Sequence, residues 1–398
     1  MTDQARECLI VGAGIAGPVL GMWLQRIGMR VVIAEARDSA VLAEGAFLGV
    51  APNGMNVLAD LGLADVVAAR GHACDAFRFT NRSDRQIGFI DRSHDRERFC
   101  WPLTMIRRGE LHALLAEEAA RRGVELRFGK RLTAIEPTGA RPIAARFQDG
   151  SVATADILIG ADGLRSKVRE LVLRDAPRPT FTGLIDVGGF APIANLPFPP
   201  SVNQMVFGRR AFFGAFTTPR GETWWFHNGP ARDPDQPHEQ LGPGALRERM
   251  LELHADDPPW IRDVISATPH ILGPWPIYEL GAIPRWSDGR VCLVGDAAHA
   301  MSPSAGQGAS LAMEDAVVLA RSLREFRDPI RAFAELELRR RPRVDRIFKQ
   351  AQRNGSGKAI DGRLSEWFRD RLLPVFLRLG AAAQTKSYGY RVPWTEPS

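Results

Sequence analysis

Three glycines at fixed spacing carry the first piece of chemistry in this chain. Gly12-Ala13-Gly14-Ile15-Ala16-Gly17 follows the apolar run CLIV and leads into IAGPVLGMWLQRIG. A chain that turns sharply at Gly12, is bare at Gly14 and packs closely at Gly17 can bring backbone amides against a pyrophosphate. Ile15 and Ala16 open the helix whose exposed N-terminal amides would hold the phosphates. Glu35 closes the next apolar run, RVVIAEA, about 20 residues further on, where a carboxylate can accept both hydroxyls of a ribose. An acid there, in place of arginine, favours a plain adenosine ribose over a 2′-phosphate. The reading is dinucleotide binding, and the motif alone does not separate FAD from NAD.

Two later motifs have the same strand-to-helix setting. Ile159-Gly160-Ala161-Asp162-Gly163-Leu164-Arg165-Ser166 closes one apolar run, and Leu293-Val294-Gly295-Asp296-Ala297-Ala298-His299 closes another. Each sets a carboxylate, Asp162 or Asp296, at the C-terminal edge of a sheet, where α/β proteins collect ligands. Asp296 can accept hydrogen bonds from a polyol. Beyond it, Gly306-Gln307-Gly308 opens a helix through SLAMEDAVVLARSL, and the free amides and positive dipole end of such a helix favour an anion. A reduced flavin carries negative charge at N1 and the C2 carbonyl, so a helix end there would raise its reduction potential. His299 is read as a residue that fixes the local turn.

These groups need a scaffold, and the apolar pattern supplies one. Strand, glycine turn, helix and strand at the N-terminus make a βαβ unit and predict a parallel sheet. Further buried strands are expected at 155–160 and 289–295, with helices at 54–61 and 109–122. Between about 173 and 275 the pattern changes to short alternating runs, such as AFFGAF and TWWFHN, separated by Pro/Gly turns. That alternation predicts a largely antiparallel sheet inserted into the nucleotide-binding part. The expected fold is α/β. A discontinuous Rossmann-like dinucleotide domain covers 1–75, 100–172 and 276–340. A β-rich substrate domain covers 76–99 and 173–275, and a helical C-terminal segment covers 341–398.

Composition narrows the function classes. With 398 residues, 45% of them apolar, the chain can build more than one core. No stretch approaches the roughly 20 apolar residues of a membrane span. The start, MTDQARECLIVGAG, lacks a basic region followed by an apolar run and a cleavage site, so a cytoplasmic protein is expected. The net charge is +6, but acids interleave with arginines in DRSHDRERF and ELELRRRPRVDR. Such runs read as solvated, mixed-sign surface, and no nucleic-acid partner is expected. Cys8, Cys74, Cys100 and Cys292 form no CxxC pair, which removes the dithiol flavoenzymes, and the histidines show no metal-ligand spacing.

In order and spacing, the three motifs resemble those of the group A flavoprotein monooxygenases, the para-hydroxybenzoate hydroxylase family, over about residues 7–350. The resemblance implies an FAD-binding domain in which Asp296 contacts the ribityl chain and Asp162-Gly163 serves both FAD and a transient NAD(P)H. It implies a flavin contact from Arg108 in IRRGELHALL, with the adjacent Arg107 as the competing choice. Arg37 would lie near the adenosine, Gly45 at the flavin edge, and Pro303 beside the flavin's reactive edge as a substrate contact. The implied reaction consumes NAD(P)H and molecular oxygen and hydroxylates an aromatic or enolic small molecule through a flavin C4a-hydroperoxide. The alternatives are an FAD-dependent reductase or dehydrogenase of the same fold, and a non-catalytic FAD-binding protein. The length looks most like members acting on urate, hydroxynicotinate, quinolone-like or tetracycline-like substrates.

The remaining candidates are aromatic. Phe212, Phe213, Trp224 and Trp225 fall on two adjacent strands joined by a turn around Pro219–Gly221. Phe212 and Trp225 are the expected wall of a substrate pocket, but sequence does not fix hairpin register. The run LLPVFLRLGAA near the C-terminus is expected as a helix docked over the substrate domain. Substrate identity, NADH against NADPH and oligomeric state stay open.

Overall fold

The computed structural model describes residues 6–39, 45–136, 142–231, 242–355, 370–374, 380 and 383–394. Residues 1–5 and most of the LLPVFLRLGAA run lie outside the described residues. The strand Glu7–Val11 pairs in parallel with Arg30–Ala34 on one side and Ile157–Gly160 on the other. The six-stranded sheet runs Ser287–Asp288, Val291–Leu293, Ile157–Gly160, Glu7–Val11, Arg30–Ala34, Glu125–Arg127. All pairings are parallel except the first. Ile10, Ile33, Leu158 and Leu293 are sealed from water, as strands covered on both faces require. The helices Ala16–Arg26 and Gly308–Glu325 bury most of their residues against this core.

A second sheet has seven strands in the order Ile271–Glu279, Thr180–Ala191, Thr223–Pro230, Phe212–Thr217, Val202–Phe207, Ala76–Asn81, Gln86–Asp91. Its pairings are antiparallel except where Val202–Phe207 runs alongside Ala76–Asn81. Strands before residue 99 and after residue 173 thus share one sheet, whose last strand extends to Glu279. The boundary expected at residue 340 falls inside the helix Pro329–Gly355. The reading of ELELRRRPRVDR as solvated surface also needs correction. Arg340 and Arg343 of that run are buried, because Asp315 and Glu314 of the preceding helix meet them with ion pairs at 2.8 Å.

The parity of the seven-stranded sheet decides which aromatics face where. Phe212 stands opposite Asn228, Phe213 opposite His227, Gly214 opposite Phe226 and Ala215 opposite Trp225. Directly opposed residues share a face, and successive residues alternate. Trp225 therefore lies with Phe213, the rings stacked 5.4 Å apart. Their face packs on the helices Pro243–Leu253 and Pro259–Ala267 through Leu246, Met250, Ile261 and Val264. The indole N–H of Trp225 donates to Thr268 Oγ1 at 2.8 Å. The expectation that Trp225 walls a substrate pocket is thus corrected, since its face of the strand belongs to the core. Trp224, on the opposite face, is also buried and donates to Glu222 at 2.7 Å. Truncating Trp225 to alanine should act as a core deletion, lowering unfolding free energy by roughly 3–5 kcal/mol in denaturant titration. A loss below about 1 kcal/mol would contradict this placement of the indole.

Candidate active site

A cavity of about 2630 Å³ is lined by the C-terminal ends of the parallel strands and by one face of the seven-stranded sheet. That exceeds the roughly 300–1,000 Å³ of a site for one drug-sized ligand, so it has room for a dinucleotide and a second molecule. At one end the backbone comes very close to itself. Gly12 has φ +107°, and a Cβ there would overlap the Ala161 carbonyl, while a Cβ on Gly17 would overlap the carbonyl of Gly12. Gly17 therefore serves packing and does not line the cavity. A Cβ on Gly14, by contrast, would meet nothing within 4 Å, and Gly12, Gly14, Ile15 and Ala16 all line the cavity.

Glu35 and Arg37 border the same end. Glu35 accepts from the Ala13 amide at 2.7 Å, and its other oxygen takes the amide and Nε of Arg37 at 3.0 Å. Burial works to raise the Glu35 carboxyl, but the bonds from Arg37 and Ala13 outweigh it and hold it below the usual range. His112, on the same wall, is pushed down to about 4 by burial and by Arg108 and Arg37, so it is neutral near pH 7. The two adjacent arginines differ in their surroundings. Arg107 meets both oxygens of Glu222 at 2.6 Å and lies 4.0 Å from the Phe190 ring centre. Arg108 lines the cavity beside Gly45, where a Cβ would come within 3.0 Å of Arg108 Cδ.

Asp162 and Gly163 also reach the cavity, but the Asp162 side chain is already engaged. Its oxygens accept from Ser166 Oγ at 2.5 Å and from the Val168 amide at 3.0 Å, holding the start of the helix Lys167–Val172. Asp296 is exposed at the head of the short helix Asp296–His299, and a Cβ on Gly308 would sit 3.9 Å from its Oδ1. The carboxylate thus stands beside the N-terminus of the helix Gly308–Glu325, with Pro303, Gly306 and Gln307 on the same wall. Gly295 lies behind this wall, close to Ala312 and Ala16. Gln307 lines the cavity, and its Nε2 is buried without a partner among the described residues. A buried N–H donor left open beside a helix N-terminus, with bare backbone at Gly14, fits a bound FAD.

Behind the wall, Asp315 is the anchor. Its Oδ2 accepts from the Gly295 amide at 3.0 Å and lies 2.6 Å from His299 Nε2, while its Oδ1 accepts from Arg340 Nε at 2.8 Å. Burial alone would raise this carboxyl, but His299 and Arg340 hold it at about 2. His299 is thereby tied into the turn, as its structural reading expects.

The opposite wall comes from the seven-stranded sheet. Phe212 is joined there by Phe226, Phe207, Met205, Phe79 and Phe77. The Phe226 ring lies across Gly214, where a Cβ would overlap it. Asn228 donates to Asp186 Oδ1 at 3.0 Å and supplies polarity on the same wall. Sequence reasoning did not single out Phe77, Phe79 or Phe226. The i, i+2 spacing of AFRFT held the signal for the first two, but its face is fixed only by pairing with Val202–Phe207.

The chain was compared with known proteins. A family described as an FAD binding domain matches residues 5–337. The chain is 30% identical to the aurachin C monooxygenase/isomerase of Stigmatella aurantiaca, covering 95% of this chain and 96% of that one. It is 29% identical to the 6-hydroxynicotinate 3-monooxygenase of Bordetella bronchiseptica, over 87% and 90% of the two chains. Its fold superposes on the crystal structure of Klebsiella pneumoniae HpxO complexed with FAD and uric acid with a TM-score of 0.85, at 25% identity and 96% coverage of each chain.

Two outcomes follow from this geometry. Asp296→Ala removes an acceptor worth roughly 1.5–3 kcal/mol per charge-assisted bond, so FAD affinity should fall at least about tenfold with the circular dichroism spectrum retained. An equally yellow protein at limiting FAD would count against the assignment. The folded Asp315 carboxyl sits below its ordinary 3.8. Its stabilising contribution is therefore complete above about pH 4 and is lost as pH falls towards 2. Asp315→Asn should cost roughly 3–5 kcal/mol at pH 7 by leaving buried charge uncompensated. In urea titrations run from pH 5 to 2, the stability gap between parent and variant should narrow.

Proposed function

This chain belongs to the FAD-binding-domain family of group A flavoprotein monooxygenases, and on that premise we propose that it hydroxylates an uncharged, largely apolar aromatic or enolic ring. Its cofactor is FAD, which supplies hydride acceptance from NAD(P)H and oxygen activation when bound. The chain's own groups position, shield and polarise. We assign Gly12, Gly14, Ile15 and Ala16 to the pyrophosphate, Glu35 and Arg37 to the adenosine, and Arg108, Gly45, Asp296 and Gly306–Gly308 to the flavin half. Phe212, Phe226 and Pro303 would hold the substrate ring, and their apolar surface would keep water from the reacting edge.

The observation that carries the substrate class is the sheet wall. Among the described sheet residues lining the cavity there is no arginine, lysine or histidine, and the one carboxylate, Asp186, already accepts from Asn228. An anionic ring placed there would lose hydration without gaining a counter-charge, whereas stacked aromatics favour a planar neutral ring. A second reading, an aromatic carboxylate, has one observation behind it. Arg346, Lys349 and Lys386 reach the same cavity from the C-terminal segments. The four cysteines are free, and no helix among the described residues is long and apolar enough to cross a membrane.

The test is oxygen uptake during NAD(P)H oxidation by the FAD-loaded protein. Neutral bicyclic phenols or quinolones should accelerate it well above monocyclic carboxylates such as hydroxynicotinate. Acceleration by carboxylates alone would overturn the neutral-ring reading, and NAD(P)H oxidation without oxygen uptake would point to a reductase. Phe226→Ala should raise the KM for the accelerating compound at least about threefold by removing ring contact worth ~1 kcal/mol, with FAD content unchanged. An unaltered KM would remove Phe226 from the substrate wall.

A further inference from the structure

Asn53 sits in the first turn of the helix Pro52–Asp60 and is 1% exposed. Its amide nitrogen donates to two oxygens, Glu314 Oε1 at 2.7 Å and Gln307 Oε1 at 3.0 Å. Glu314 is held from its far side by Arg343, whose Nε and Nη2 each approach at 2.8 Å, and by Arg340 Nη1 at 2.6 Å. A carboxylate held by two guanidinium groups accepts hydrogen bonds and donates none. The Asn53 group facing it must therefore be the NH2 end. The second N–H of that end then points at Gln307, which must answer with its carbonyl oxygen. Gln307 Nε2 is left buried and without a partner among the described residues, on a residue that lines the cavity.

The orphaned atoms show how strongly this order is imposed. Asn53 Oδ1 also lacks a partner among the described residues, and a buried carbonyl left open is costly. Flipping the amide would turn that oxygen onto the Glu314 carboxylate, so charge decides the orientation. Without the carboxylate, either amide could turn over, and the helix entrance would then show an acceptor in place of a donor.

We propose that Glu314, Asn53 and Gln307 form a polarity relay. It presents a Gln307 N–H to the flavin ring at the start of the helix Gly308–Glu325, and Asn53 is its positioning residue. This rests on reading Gln307 as a flavin contact. The donor joins the free amides of the helix start. Because a hydrogen bond to a charged acceptor is stronger than one to a neutral acceptor, the relay favours the reduced, anionic ring over the oxidised one.

The experiment compares midpoint potentials of FAD-loaded parent, Gln307→Leu, Asn53→Leu and the double variant by dye equilibration. Each single change should lower the preference for reduced over oxidised flavin about tenfold, a shift of about −30 mV for a two-electron couple. The double variant should fall no further than Gln307→Leu, since both remove one donor. Asn53→Ser serves the same comparison if the leucine does not fold. If Gln307→Leu shifts the potential while the Asn53 variants lower only thermal stability, Asn53 is structural and the relay is overturned. If Gln307→Leu leaves the potential unmoved, the flavin-contact reading of Gln307 fails, and the relay fails with it.

Discussion

Glu314 and Asp315 are neighbours in sequence, so their side chains leave the helix Gly308–Glu325 about 100° apart, yet both are buried. Two ionised groups can be sealed only if every face they present is answered, and the answers here come from three separate parts of the chain. Asp315 takes the Gly295 amide, His299 and Arg340. Glu314 takes Asn53, Arg340 and Arg343. This demand fixes the end of one parallel strand, the turn after it, the helix entrance beside the cavity and the long C-terminal helix relative to one another. The geometry at the cofactor wall is set from behind, by electrostatics that never touch the ligand.

The other wall is set by a simpler rule. A strand alternates faces, so once Phe213 and Trp225 are committed to the helices beneath the sheet, Phe212 and Phe226 are committed to the cavity. A further hydrophobic cluster joins the sheet to the rest of the chain, with Phe216 and Trp224 packed among Ala51, Leu103 and Met105. Trp225 belongs to the cluster under the sheet and Leu293 to the one around the parallel strands. The cavity lies between the parallel-sheet core and the seven-stranded sheet, at a junction of the kind where ligands commonly bind.

Much of this was legible in the residues. The glycine turn, Glu35 and the two strand-end aspartates could be placed because each sits at a local junction of apolar run and glycine. The antiparallel insert was legible through its alternation. The wall role of Trp225 and the surface reading of the C-terminal arginines failed because both depend on contacts distant in sequence. Which of Phe212 and Phe213 faces the cavity, and that Trp225 packs in the core, is decided by strand pairing and by two helices more than fifteen residues away. The arginines of ELELRRRPRVDR looked like surface because their partners, Glu314 and Asp315, lie on another helix. Composition records charge but not who answers it. Arg108 was preferred to the adjacent Arg107 on resemblance alone, and the ion pair of Arg107 with Glu222 was not legible in the sequence.

The last described segment, residues 383–394, folds back on the oldest part of the chain. Trp394 meets Trp23 at 4.4 Å between ring centres, Arg391 donates to Asn56, and the Ser387 carbonyl accepts from Arg343. Lys386, Ser387 and Tyr388 border the cavity. The central strand Glu7–Val11 must likewise wait for Ile157–Gly160 before its second edge is covered. On the ribosome the glycine turn emerges well before the later segments that share its cavity. Because chains are built from the N-terminus while exposed apolar edges invite misassembly, synthesis leaves this protein open at its glycine turn for longest. A dinucleotide that engaged the early βαβ unit would act there as a folding template before it acts as a cofactor.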